Sequence, residues 1–257
     1  GGITPRTPAY VALAPLLSVW GSWDDGSSAA PPGMVSIPSG SGFYFIDATE
    51  VTRSAYAEFL AANSDLGAQP PECANNADFV PQADWPYTGD GELPVRSVDW
   101  CDASAYCAWA GKRLCGVRGT GDPMEAYSDE ERNEWYRACS RAETRLYPYG
   151  GNPYLPAELA AAYRSDACNG AELGAGGPVR VGSLPRCEGG YSGLFDMSGN
   201  VAEWTGHCLN SGCAIRGGSY ESEKPRGLLS AKLDCTSTPY RLREVREASL
   251  GFRCCAD

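Results

Sequence analysis

Three short blocks constrain this chain most: GLFDMSGNVAEW at 193–204, RGGSY at 216–220 and LGFRC at 250–254. Each sets glycines against aromatics, with a carboxylate or an arginine at a fixed offset. Glycine lets the backbone pass through positive φ and approach other groups closely, while aromatics supply buried area where regular elements are scarce. Such blocks build tight, aromatic-packed loops. The 31 glycines and 19 prolines in 257 residues likewise disfavour long helices. Asp196 and Glu203 flank the Gly199-Asn200 turn, so their oxygens and the loop carbonyls have a route to one point. An all-oxygen pocket of that kind suits a hard cation, Ca²⁺ first. The alternative is a glycine turn whose carboxylates cap nearby amides.

The length allows a sizeable core in one domain, and 43% hydrophobic residues argue against disorder. A formal charge of −11 argues against nucleic acid and anionic lipid, because phosphate recognition needs clustered Lys and Arg. No apolar run reaches the ~18 residues of a membrane helix, so no membrane span is expected. Twelve cysteines, an even count without a C-x-x-C pair, point to disulfides and not to zinc. An extracytoplasmic location follows: periplasm, cell surface or medium. One histidine, His207, excludes histidine-cluster metal sites and argues against a Ser-His-Asp triad. Gly1 carries no signal-peptide pattern, so the numbering is expected to begin at a mature end.

Residues 1–31 read as an extended segment and linker ahead of a domain at 32–257. The stretch 7–20 is apolar but broken by Pro8 and Pro15, which favours an extended strand. It either packs on its own domain or adds a strand to a neighbouring molecule, a route to self-association. A helix is expected over 51–63, capped by Thr52, with Tyr56, Phe59 and Leu60 on one face. Asp99 or Asp102 caps a second ending at Gly111, with Tyr106, Trp109 and Ala110 toward the core. Ser128 and Glu131 form a capping-box pattern ahead of a third through Arg141 that presents Trp135, Ala138 and Cys139. A further short helix fits 156–163.

The three blocks resemble the signature of the formylglycine-generating enzyme (sulfatase-modifying factor) family, and the likeness continues upstream in order. MVSIPSGSGFYFIDATEVTRSAYAEFLAAN (34–63), PVRSVDWCDASAYCAWAGKRL (94–114), EWYRAC (134–139) and YPYG (147–150) resemble its earlier segments, with 116–127 as an insertion. The resemblance implies an α+β, single-domain, disulfide-rich fold with much irregular structure: the sulfatase-modifying-factor variant of the C-type-lectin-like fold. It implies structural Ca²⁺ on the side chains of Asp196 and Glu203 and the carbonyls of Gly199 and Val201, and a second site near Asn169 and Gly170. It also implies the bridges Cys107–Cys254 and Cys139–Cys235. Proximity in sequence adds Cys101–Cys115, Cys208–Cys213 and Cys168–Cys187, which leaves Cys73–Cys255 by elimination.

Family members that oxidise a substrate cysteine hold Cu(I) between two thiolates just after the GGS block, as a soft ion requires. Here those positions are Ser222 and Gly227, and Ala202 and Ser249 replace two further pocket residues. No copper is therefore expected, and the chain reads as a non-catalytic binding or structural protein. Its ligand pocket would lie at Trp204, Ser219, Tyr220, Ser222 and Arg253, and would take a peptide or a glycan. The alternative is an oxidoreductase with relocated metal ligands, for which Cys208 and Cys213 have the right spacing.

Overall fold

The computed structural model describes residues 29–62, 66–118, 132–152, 159–224 and 232–257. Two four-stranded sheets carry it. In the first, β1 (Met34–Ser39) and β2 (Gly42–Asp47) form a tight antiparallel hairpin. The short strand β3 (Arg113–Leu114) closes the far edge through β8 (Cys254–Ala256), giving the order β1-β2-β8-β3. In the second, β4 (Ala202–Leu209) and β5 (Gly212–Arg216) form the central hairpin. They are flanked by β6 (Tyr240–Leu242) on β5 and by β7 (Leu250–Phe252), parallel to β4. One tripeptide, Phe252-Arg253-Cys254, therefore steps from the second sheet to the first.

Local chemistry explains the helices. Thr52 accepts from the Ala55 amide to start α1 (Arg53–Ala61). The expected C-terminal residue, Asn63, lies outside the described residues. Asp99 and Asp102 form a reciprocal capping box at the start of α2 (Trp100–Trp109), so both candidate caps are used at once. The third helix begins later than expected: α3 (Glu134–Ser140) is capped by Asn133, and it stops at Arg141 in the left-handed region. Ser128 and Glu131 lie outside the described residues. A single turn, α4 (Leu159–Ala162), stands where a short helix was expected.

The core divides between the sheets. Tyr56 and Phe59 of α1 meet Tyr106 of α2 and Phe252 of β7, with Tyr56 and Tyr106 stacked at 5.6 Å. Trp109, expected to face this core, keeps 44% of its surface exposed at the end of α2 while its ring still contacts Phe59 and Tyr106. On the other side, Ile37, Tyr44 and Ile46 pack against Trp135, Tyr136 and Cys139 of α3, all seven of whose residues are buried. Glu134 survives that burial because Arg113 grips both its oxygens at 2.5 and 2.7 Å.

Six disulfides pair all twelve cysteines. Cys107–Cys254, Cys139–Cys235, Cys168–Cys187 and Cys208–Cys213 form as expected. Cys101–Cys115 and Cys73–Cys255 do not: the pairs are Cys73–Cys101 and Cys115–Cys255. Adjacent residues on a strand point to opposite faces. Cys254 of β8 thus reaches α2, while Cys255 faces the other way, toward Cys115 beyond the paired strand β3. Cys101, in the first turn of α2, is left for the turn at Pro71–Cys73. Among the described residues no helix is long and apolar enough to cross a membrane.

Candidate functional site

Asp196 and Glu203 stand on either side of the glycine turn that leads into β4, and the turn is set by contact. Gly199 has φ +77°, and a Cβ there would lie 2.4 Å from the Asn169 carbonyl oxygen. Only glycine allows that approach. Asn200, also in the left-handed region, ties the loops together. Its Oδ1 accepts from Asn169 Nδ2 and the Val179 amide, its Nδ2 donates to Glu50, and its carbonyl accepts from the Tyr220 amide.

The electrostatics around this turn are dominated by acid. Glu50, Asp196 and Glu203 are all buried near one buried arginine, Arg253. Arg253 Nε donates to both Glu203 oxygens at 2.9 and 2.8 Å, and Nη2 donates to Oε1 at 2.7 Å. Its remaining donors reach the Asp47 and Phe195 carbonyls. Trp135 Nε1 adds a bond to Glu203 at 2.8 Å. Burial first, then the charge of Asp196, push Glu50 well above the usual carboxylate range, against the pull of Arg253. Burial also raises Asp196, against the Gly182 amide and Arg253.

Three carboxylates against one guanidinium leave this centre short of positive charge. Asp196 Oδ2 accepts from the Gly182 amide and the side chain also meets the Glu50 carboxyl, but among the described residues Asp196 Oδ1 and Asn169 Oδ1 are buried without a fixed hydrogen-bond donor. Orphaned hard oxygens beside excess negative charge fit a hard cation. Glu203 fits less well, since its carboxylate is committed to Arg253 and Trp135. Among the described residues no three His, Cys, Asp or Glu side chains gather into a metal-holding group, so an ion here would draw on carbonyls such as those of Gly199 and Val201. Gly170, paired with Asn169 in the second expected site, packs tightly: a Cβ would lie 2.8 Å from Leu233.

The expected ligand pocket separates into two parts. Trp204 and Arg253 are core residues, 1% and 0% exposed, with Trp204 Nε1 donating to the Val98 carbonyl. They support the fold beneath the site and are closed off from solvent. Ser219, Tyr220 and Ser222 stay together in one loop. Ser222 Oγ accepts from the Ser219 amide at 3.0 Å, Ser219 Oγ accepts from the Glu221 amide, and the Ser222 carbonyl accepts from the Ala171 amide. These serines brace the loop. Gly227 lies outside the described residues.

Tyr220 reaches the surface, and its hydroxyl accepts from Arg96 Nη1 at 3.2 Å. Arg96 also holds the Ala248 carbonyl and pairs with Asp84, next to the half-buried rings of Trp85 and Tyr87. Burial and then Glu221 raise the Tyr220 phenol, with Arg96 opposing. The sequence reading missed Glu50, Asp84, Arg96 and Asn200. Asn200 reads in the sequence only as a turn residue; its partners, like those of Glu50 and the Tyr220 contact of Arg96, lie across long chain separations that no local motif encodes.

A family model described as sulfatase-modifying factor enzyme 1-like domain matches residues 21–257. The chain belongs to that family. Across 64% of its length it is 30% identical to the formylglycine-generating enzyme of Mus musculus, covering 44% of that protein. It is 31% identical over 63% of its length to the inactive C-alpha-formylglycine-generating enzyme 2 of the same organism, covering 49% of it. The chain thus spans about half or less of these relatives. Two solved structures share the family fold: PvdO from Pseudomonas aeruginosa (TM-score 0.55, 17% identity, 88% of this chain and 91% of that one) and Treponema denticola variable protein 1 (TM-score 0.51, 19% identity, 84% of each).

Proposed function

We propose that this family member is a non-catalytic, extracytoplasmic binding protein that uses the formylglycine-generating-enzyme-like fold as a scaffold. One observation carries the reading: every cysteine is in a disulfide, and Ser222 at the first expected thiolate position spends its hydroxyl on the Ser219 amide. Cu(I) needs two soft thiolates, and the loop after Ser219 offers hydroxyl, carboxylate and amine groups. Likeness to an inactive relative as well as to active ones supports the same reading.

The binding face centres on Tyr220, Arg96 and Asp84, with Trp85 and Tyr87 beside them. Aromatic area next to charged hydrogen-bonding groups suits a peptide, and a glycan would use the same rings. Calcium is proposed as a structural ion on Asp196 and neighbouring carbonyls, supported by the orphaned Asp196 oxygen and the surplus of buried carboxylates. It would supply fixed positive charge to loops that have few ladder hydrogen bonds. Six disulfides support an oxidising location, at the periplasm, cell surface or medium. Self-association through residues 7–20, which lie outside the described residues, is a separate proposal, tested by deleting 1–23 and measuring mass in solution. An unchanged oligomeric state would refute it.

The proposal is tested by incubating the oxidised chain with copper, oxygen and a cysteine-containing peptide, then labelling aldehydes. No labelled peptide is expected, and catalytic labelling would overturn the non-catalytic reading. Peptide and glycan arrays test the binding face. A ligand retained by the wild type and lost by Tyr220→Ala and Arg96→Ala is expected, whereas a ligand indifferent to both changes would refute the placement.

A further inference from the structure

We propose that Cys208–Cys213 is an exchangeable disulfide, a two-electron site at the end of the β4–β5 hairpin whose reaction partner is a dithiol. Three independent observations single it out. Cys208 alone among the twelve cysteines is not buried; the other eleven, Cys213 included, lie in the core. The bridge spans a sequence separation of 5, whereas the remaining five span 19 to 147. Finally, Cys208 and Cys213 already face each other in register on paired strands, next to Leu209↔Gly212.

These facts make the bridge nearly redundant for the fold. Closing so short a loop removes far less chain entropy from the unfolded state than closing the loop between Cys107 and Cys254, whose sequence separation is 147. The hairpin is also the centre of its sheet, with β6 and β7 on its two sides, so hydrogen bonds hold it without the sulfurs. The strand register shifts between Trp204 and Cys208, and exposed Gly206 precedes Cys208 by two residues. The bridge that matters least to architecture is thus the one that solvent reaches.

In exchange, the thiolate of the reductant attacks Cys208 Sγ and the sulfur–sulfur bond breaks. Its electron pair goes to Cys213, which takes a proton from solvent. The second thiolate of the reductant then attacks the mixed disulfide, forming the reductant's own disulfide and releasing Cys208 as a thiol. Two electrons and two protons pass from the dithiol to the pair. Cys213 sits in apolar surroundings, so its thiolate leaves reluctantly and returns readily. A monothiol adduct on Cys208 therefore reverts, while a dithiol carries its resolving group at high effective concentration.

The test exposes the oxidised full chain to graded dithiothreitol or glutathione without denaturant, traps free thiols by alkylation and maps them by peptide mass. Cys208 and Cys213 should be labelled together at a dithiothreitol level at least tenfold below that needed for any other pair, with near-ultraviolet circular dichroism unchanged. Glutathione should need far higher concentrations. Earlier opening of another bridge, or opening of this one only with global unfolding, overturns the proposal. A Cys208→Ser/Cys213→Ser variant should fold with its other five bridges formed; failure to do so would assign the bridge a structural role and overturn it as well.

Discussion

Replacing Arg253 by methionine tests how the centre of this fold is held together. Arg253 is fully buried and gives three contacts to Glu203 and one each to the Asp47 and Phe195 carbonyls. Methionine fills similar space but leaves Glu203 with Trp135 as its remaining donor, beside Glu50 and Asp196. Breaking a buried pair on one side costs about 3–5 kcal/mol. Two carbonyls losing a charged donor add roughly 1 kcal/mol each. The expected loss is about 5–7 kcal/mol, a third or more of the ~5–15 kcal/mol that holds an ordinary domain.

Urea unfolding with disulfides intact and calcium chelated, followed by fluorescence of the buried Trp135 and Trp204, measures this loss. Arg253→Lys, which keeps the charge but loses the fork, should fall between. Adding Glu203→Gln to Arg253→Met removes the stranded charge and should recover about 2 kcal/mol or more. The reasoning fails if Arg253→Met costs under ~1 kcal/mol, or if the double variant is less stable than the single one.

Three further outcomes follow from the same geometry. Calcium at a hundredfold excess over its dissociation constant should add about 2.7 kcal/mol to the wild type and little to Asp196→Ala; equal melting shifts in scanning calorimetry would remove Asp196 from the site. Burial, and then Asp99, push Asp102 up to about 8 despite Arg246. A carboxyl raised from an unfolded value near ~3.9 binds its proton more tightly when folded, so its stabilising effect is present below pH ~4 and lost as pH rises toward ~8. Urea midpoints at pH 5 and pH 8 should therefore move in favour of Asp102→Asn as pH rises, and a pH-independent difference contradicts the shift. Gly199→Ala forces a Cβ against the Asn169 carbonyl at positive φ, so it should sharply lower the yield of folded protein; a normal yield would show that the loop has room.

What the sequence made legible was local or carried whole by the family resemblance. Thr52 and Asp99 announce helix starts because a cap bonds within three residues. The two bridges implied by the resemblance, and the two closing short loops, form as expected. Cys73 and Cys101 were misassigned because their pairing depends on which face of β8 each of Cys254 and Cys255 presents. That follows from β3–β8 pairing across more than a hundred residues, which no local pattern encodes. Arg253 and Trp204 show a second limit: a motif fixes position along the chain but not direction, and both side chains turn inward. Glu50 sits a few residues from a readable helix cap, yet its partners Asn200 and Val201 are 150 and 151 positions away.

The most direct test of the non-catalytic account is an anaerobic Cu(I) titration of the oxidised chain against a competing chelator, followed by oxygen uptake with a cysteine peptide. The chelator should keep the copper, and oxygen uptake should stay at the level of the protein-free control. One equivalent of tightly held Cu(I), with peptide-dependent oxygen consumption, would contradict it.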